Sequence, residues 1–314
     1  MSPRSGSPAG TTAPGVANRR TRVILVTGIS GQLGHELMST LQGLGDVVGL
    51  DRAALDLGDP DAIRRVVRSE SPSLIVNPAA YTAVDRAERE PEPASRINAR
   101  APGILAEEAQ RLGIPLIHFS TDYVYAGDKE DVYVESDPTD PQNVYGRSKL
   151  AGETAIAAAG CRHLIFRTSW VYGANGANFV KMMLRLGAEK NAVRVVGDQF
   201  GAPTWARTIA DVTAQIVAQS VSPAVAPEAW WAQRSGVYHL SCDGVTNWAA
   251  FAAEIFAHTQ CACRVEPIAS ADYPTPARRP ANSRMSNAKL METFSLHLPD
   301  WRAALHLYLD GRKA

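Results

Sequence analysis

A chain of 314 residues has room for one large α/β domain with an added lobe, or for two modest domains. Its 32 basic and 32 acidic residues cancel, which excludes a general electrostatic grip on nucleic acid or on an anionic membrane surface. Hydrophobic residues make up 45% and charged residues 20%, as in an ordinary globular protein, and no apolar run reaches the length of a membrane span.

Residues 1–21, "MSPRSGSPAGTTAPGVANRRT", are rich in Pro, Gly, Ser and Thr and have no apolar core, so a disordered tail is expected there rather than a secretory leader. "RVILVTG" follows, a continuous apolar run closed by Gly28 that reads as a buried parallel strand. Leu33, Leu37, Leu41 and Leu44 then recur at helical spacing, and "DVVGLD" is a second strand. In "DPDAIRRVVRS", Asp59 is a candidate N-cap with Pro60 at the first helical position. "SLIVNPAA" and "PLIHFST" are further strands around a helical "ASRINARAPGILAEEAQRLG"; the helix from "NVYGRSKLAGE" and the strand "HLIFRTS" continue the alternation. Such a rhythm implies a doubly wound parallel sheet, the Rossmann arrangement, covered on both faces.

After about residue 170 the rhythm loosens. "ANFVKMMLRLGAEK", "TIADVTAQIVAQ", "WAAFAAEIFAHT" and "DWRAALHLYLDGRK" read as helices, and "VRVVGDQ", "GVYHLS" and "VEPIA" as short strands. "SVSPAVAPEAWWAQRSG" reads as a Pro/Ala-rich surface loop at about 221–235. The expected organisation is a core over 22–170 and, over 171–314, mainly a smaller substrate-binding lobe with some segments returning to the core. Cys161, Cys242, Cys261 and Cys263 are too few and too irregular for a disulfide framework or a zinc site, so no metal site is expected and a reducing cytoplasm fits.

Gly28, Gly31 and Gly34 stand in G-x-x-G-x-x-G order after the first strand. A strand-to-helix turn of this kind needs positive φ and close backbone approach, and the helix from Gln32 aims its amides at a diphosphate. Ser30, Gln32 and Leu33 complete the turn. Asp51, at the end of the second strand, suits the ribose hydroxyls of NADH, whereas the adjacent Arg52 suits the 2′-phosphate of NADPH; both cofactors remain open. Asp56 and Leu57 border the adenine end, or form a plain loop. Ala79, Ala80 and Tyr81, after the third strand, are placed at the cofactor and Thr82 at the substrate.

"HFSTDYVYAG" ends the fourth strand in Ser120, Thr121 and Asp122, and Tyr145 precedes Lys149 by four residues, on one helical face. That spacing alone also fits an ordinary helix-surface pair. In order, however, the glycine turn, the strand-end hydroxyl and Y-x-x-x-K resemble the extended short-chain dehydrogenase/reductase family. The resemblance implies reduction of a ketone: Tyr145 gives the proton, Lys149 together with the positive ring of the oxidised nicotinamide lowers the phenol's pKa from its usual value near 10, and Thr121 orients the substrate oxygen.

"NPAAYTAVDRAE", "FSTDYVYAG", "FRTSWVYG", "NFVKMML", "VGDQFGAPT" and "YPTPARRPANSRM" are similar to the dTDP-4-dehydrorhamnose reductases within that family, over nearly the whole chain from Arg22. This implies a dTDP-sugar substrate reduced at C4 by NADPH or NADH. It places Thr121, Asp122 and Trp170 at the sugar, although a core role suits Trp170 equally. It puts Asn178, Phe179, Lys181, Gln199, Pro203 and Thr204 near the nucleotide, with Arg279, Asn282 and Ser283 at the diphosphate or base; Arg278 also fits a solvated basic turn. A homodimer is left open. Among rivals, a 4,6-dehydratase needs a second carboxylate after Asp122, where Tyr123 stands. An epimerase and a non-catalytic regulatory subunit of the same fold complete the set of rival activities.

Overall fold

The computed structural model describes residues 22–312, so the expected tail at 1–21 lies outside the described residues. The chain opens with β1 (Val23–Thr27), β2 (Asp46–Leu50), β3 (Leu74–Asn77), β4 (Leu116–Thr121) and β5 (His163–Thr168). Short strands β6 (Val171–Tyr172), β7 (Ala192–Val196), β8 (Phe200–Gly201) and β9 (Thr204–Trp205) lead to β10 (Gly236–His239), then β11 (Thr246–Asn247) and β12 (Arg264–Ile268). Six of these make one sheet in the order β10-β5-β4-β3-β1-β2, every pair parallel. β1 has β2 on one side and β3 on the other, so the connections leave it toward opposite edges. A crevice opens at that switch point, beyond the carboxyl ends of the strands.

Helices cover both faces, which is why the central strands are apolar without alternation. On one face Ile24, Val26, Val76, Ile117 and Phe166 pack with Leu33 and Leu37 of α1 (Gln32–Thr40). On the other, Leu25, Ile75, Leu116 and Ile165 meet α2 (Pro60–Glu70), with Ile104 and Leu105 from a later helix. Each such fully buried side chain stabilises the fold by about 1.5–3 kcal/mol before its ordering entropy is charged. The Asp59 carboxylate accepts from the amides of Asp61 and Ala62, and Pro60 opens α2. α1 ends earlier than its leucine spacing implies: Leu44 falls in a 3-10 turn, flanked by Gly43 and Gly45.

Two short helices, α3 (Val84–Ala87) and α4 (Pro91–Ser95), run into a π-helical turn at Arg96–Arg100 and then α5 (Ala101–Leu112). α6 (Val144–Ala159) carries the Tyr-Lys pair. In the second half, α7 (Phe179–Glu189) is followed by α8 (Ala206–Ser220) and α9 (Pro227–Arg234). α10 (Trp248–His258), α11 (Ala288–Phe294) and α12 (Trp301–Asp310) complete the chain. A separate core unites Val180, Met183, Val193, Phe251, Ile255, Trp301 and Leu305. The stretch expected to be a surface loop at 221–235 contains α9, and its Trp230 and Trp231 are buried against the sheet core beside Phe294. Two indoles anchor a segment that its proline and alanine content disguises. Among the described residues no helix is long and apolar enough to cross a membrane.

Candidate active site

A cleft of about 940 Å³ follows the carboxyl ends of β1 to β5. Its floor begins at the glycine turn. Gly28 has φ +60°, and an added Cβ would lie 2.8 Å from the Cβ of Ala79, so a side chain is excluded on both counts. Gly31 caps α1 with no side-chain bond, leaving the first-turn amides directed at the cleft without a protein anion. Two buried hydroxyls of the cleft wall, Ser120 Oγ and Thr168 Oγ1, have no hydrogen-bond partner. Buried polar atoms of this kind call for a partner, and at the wall of a cleft a polar ligand can supply it. Glycine turn, bare helix start and orphan hydroxyls together fit a dinucleotide.

Every cofactor residue named from the sequence borders this cleft: Gly28, Ser30, Gly31, Gln32, Leu33, Gly34, Asp51, Arg52, Asp56, Leu57, Ala79, Ala80, Tyr81, Tyr145 and Lys149. Asp51 Oδ1 also accepts from the amides of Ala53 and Ala54, at 2.9 Å each, which fixes the loop after β2. Asp56 Oδ1 accepts from Gly58 N at 2.8 Å.

At the chemical end, Thr121 closes β4 and Tyr145 begins α6. Asn143 caps that helix through Gly146 N at 2.8 Å, and Glu88 Oε1 accepts from Val144 N at 2.7 Å. Tyr145 meets the Tyr123 ring edge-on, centroids 5.6 Å apart. Thr121 Oγ1 donates to Asp122 Oδ1 at 2.9 Å and accepts from Tyr123 N at 3.2 Å. Burial raises Asp122 to about 6 even though Ser283 and Thr121 donate to it.

Lys149 does not figure among the protein groups that act on the Tyr145 phenol. Burial pushes the phenol up, the Asp122 charge adds to that, and only the Thr121 hydroxyl opposes it. Lys149 Nζ instead donates to the Phe119 carbonyl at 2.6 Å and lies 3.1 Å from His118 Nε2. Burial pushes the lysine down to about 8, with Glu153 pulling it back. Two groups of β4 thus hold the lysine nitrogen in place.

Of the substrate residues named from the sequence, Thr82, Thr121, Asp122 and Trp170 line the cleft. Trp170 has φ +49° and its indole stacks on Trp248, centroids 3.7 Å apart. A Cβ at Gly201 would sit 2.8 Å from that indole, so glycine makes its room. The remaining nine are not among the residues that line it. Asn178 caps α7 and donates to Gln32 Oε1 at 2.9 Å; Phe179 stacks on Phe251; Lys181 Nζ donates to the Gly176 carbonyl. Gln199 donates to Ser270 Oγ, Pro203 precedes β9, and Thr204 is fully buried, accepting from Cys242 N. Arg279 is paired with Asp85 at 2.6 Å, Asn282 donates to the carbonyls of Lys129 and Asp131, and Ser283 donates to Asp122. Arg279 therefore has a protein counter-ion, and Asn282 is a loop brace.

Sequence reasoning did not single out Trp248 or Thr168 for the site. Trp248 directly follows the Asn247 cap of α10, and only the stacking on Trp170 marks it for the site.

The family described as the RmlD substrate binding domain matches residues 21–313. A dTDP-4-dehydrorhamnose reductase of Burkholderia thailandensis is 48% identical over 292 residues, spanning 90% of this chain and 97% of that protein. A crystal structure of a dTDP-4-dehydrorhamnose reductase from Clostridium acetobutylicum superposes with a TM-score of 0.86 at 34% identity, covering 93% of this chain and 100% of the other. The Bacillus anthracis enzyme of the same name, solved in complex with NADP, gives 0.86 at 33% identity, covering 93% and 99%.

Proposed function

Because this chain belongs to the RmlD substrate-binding-domain family of dTDP-4-dehydrorhamnose reductases, we propose that it reduces the C4 ketone of dTDP-4-dehydro-L-rhamnose to dTDP-L-rhamnose with NADPH or NADH. It is an NAD(P)H-dependent oxidoreductase of dTDP-rhamnose synthesis. The observation that carries the reading is the convergence of Thr121, Tyr145 and Lys149 on one cleft with the glycine turn of β1.

The reduced nicotinamide supplies a hydride when bound. The amides of Gly31 to Leu33 hold the diphosphate, Asp51 takes ribose hydroxyls, and Arg52 meets a 2′-phosphate. Ser120 and Thr168 offer their hydroxyls to polar atoms deeper in the cleft. The stacked Trp170 and Trp248 give a flat apolar wall for a deoxysugar. As negative charge grows on the C4 oxygen, Tyr145 donates its phenolic proton to it. The raised phenol pKa keeps that proton in place until then. Thr121 turns its hydroxyl proton from Asp122 to that oxygen, orienting it and stabilising its charge. Lys149, poised near neutrality by burial, carries a proton that restores the phenol. The four cysteines are free, in keeping with the cytoplasm as the working compartment.

The test is purified protein with dTDP-4-dehydro-L-rhamnose generated in situ, following reduced-nicotinamide absorbance and the mass of the product. Substrate-dependent oxidation with a product two hydrogens heavier is expected. Cofactor binding without turnover would favour a binding subunit and end the reductase reading.

A further inference from the structure

Lys149 is one end of a buried polar chain that reaches back to the first strand. His118 and Asn77 are register partners on β4 and β3, and Thr27 ends β1 beside them. Thr27, Asn77, His118 and Lys149 are each at most 1% exposed. Thr27 Oγ1 lies 2.6 Å from Asn77 Oδ1, Asn77 Nδ2 lies 3.0 Å from His118 Nδ1, and His118 Nε2 lies 3.1 Å from Lys149 Nζ.

The distances give the chain a direction. A separation of 2.6 Å suits a hydroxyl donating to an oxygen and is short for an amide N–H. Thr27 therefore donates to the Asn77 amide oxygen, which leaves the Asn77 NH₂ to donate to His118 Nδ1. A neutral imidazole has one lone pair and one N–H. With Nδ1 accepting, the N–H sits on Nε2 and faces the lysine. We infer that His118 is a positioning residue for Lys149, its Nε2–H held toward the lysine nitrogen by Asn77 and Thr27. The lysine then meets this donor and the Phe119 carbonyl at once, which fixes its reach along α6. It also matches the ring to the neutral amine and opposes it to the ammonium.

The ring itself stays uncharged, because burial and the lysine charge hold it well below its ordinary range and outweigh a backbone bond to Asn77 that raises it. Glu153, on the same helix, acts on Lys149 and is held by Arg167 of β5 at 2.6 Å. From the turn after β4, Asp122 and Tyr123 act on Tyr145. The π-helical turn faces α6 with the neutral Asn98, bonded to Ser148, and the loop after α3 with Glu88, bonded to the α6 amide of Val144. His118 is thus the side chain on β4 that addresses the lysine, beside the Phe119 carbonyl.

The inference rests on the reductase reading, and its test separates the two. Turnover by the unaltered chain checks the reading; His118→Leu and His118→Gln then check the inference. His118→Leu should lower kcat by about tenfold or more, with KM for both substrates nearly unchanged. His118→Gln, whose amide can still engage the lysine, should recover most of that kcat, with the alkaline limb of the pH profile displaced upward by about one unit, since its oxygen can face the ammonium. Wild-type kcat and profile in His118→Leu would overturn the inference, as would equal losses in both variants with unmoved limbs. Where the leucine variant does not fold, nitrogen-15 spectra of the histidine rings in the unaltered chain decide. A neutral His118 protonated on Nε2 from about pH 6 to pH 9 is expected; protonation on Nδ1, or an imidazolium, overturns it. That spectrum is informative whether or not the chain turns over the sugar.

Discussion

Ser283 donates its hydroxyl to the Asp122 carboxylate, joining the residue after the strand-end threonine to a loop 161 positions later in the chain. Thr121 donates to the other carboxylate oxygen at 2.9 Å. Both hydroxyls favour the ionised form, yet burial outweighs them and raises the group from 3.8 to about 6.

That shift fixes a pH dependence. The folded state binds a proton that the unfolded state has released between about 3.8 and about 6, so this group's contribution to stability falls as pH rises through that window and stays low above it. Asp122→Asn should therefore gain stability relative to the unaltered chain as pH goes from about 4 to about 7, by up to about 3 kcal/mol. Thermal unfolding at the two pH values measures it. A constant difference would show that folding leaves the Asp122 pKa where it stands in the unfolded chain. Ser283→Ala should act oppositely, costing about 1–3 kcal/mol above about pH 6, where its bond is charge-assisted.

Arg167 grips Glu153 by two bonds, 3.0 and 2.6 Å, with both side chains almost wholly buried, and also donates to Tyr125. Glu153→Gln leaves the guanidinium buried without a counter-ion and should cost about 3–5 kcal/mol in denaturant unfolding. It also removes the charge that raises Lys149. The alkaline limb of activity should then move to lower pH, a change that a purely structural loss would not bring.

The choice between cofactors turns on neighbouring side chains. Asp51 is fixed by two backbone amides, while Arg52 is exposed at the mouth of the cleft. Arg52→Ala should weaken NADPH binding by about tenfold and leave NADH within about twofold, as removal of one phosphate contact implies. Titrating each reduced cofactor by fluorescence tests this; equal losses for both would assign Arg52 no role in the choice.

Much of the fold was legible because a covered parallel sheet demands strands that are apolar throughout, and "VILVT", "LIVN" and "LIHFST" say so directly. The glycine turn and the Thr-Tyr-Lys order are local patterns, and they too can be read along the chain. The site's second layer cannot. His118 sits in an apolar run, and only the pairing of β3 with β4 sets it between Asn77 and Lys149. Likewise Arg279 reads as a free cation until folding brings Asp85, 194 positions away, to 2.6 Å. α9 was hidden by prolines, although Pro227 at its first position and Glu228 in its first turn are helix-start signals.

The central claim is that the Tyr145 phenol protonates the sugar oxygen as the ketone is reduced. Tyr145→Phe keeps the ring against Tyr123 and removes only the hydroxyl. Its affinity for reduced cofactor should stay within about twofold, while kcat for dTDP-4-dehydro-L-rhamnose falls by about a hundredfold or more. Turnover at the unaltered rate, with cofactor binding intact, would contradict the claim.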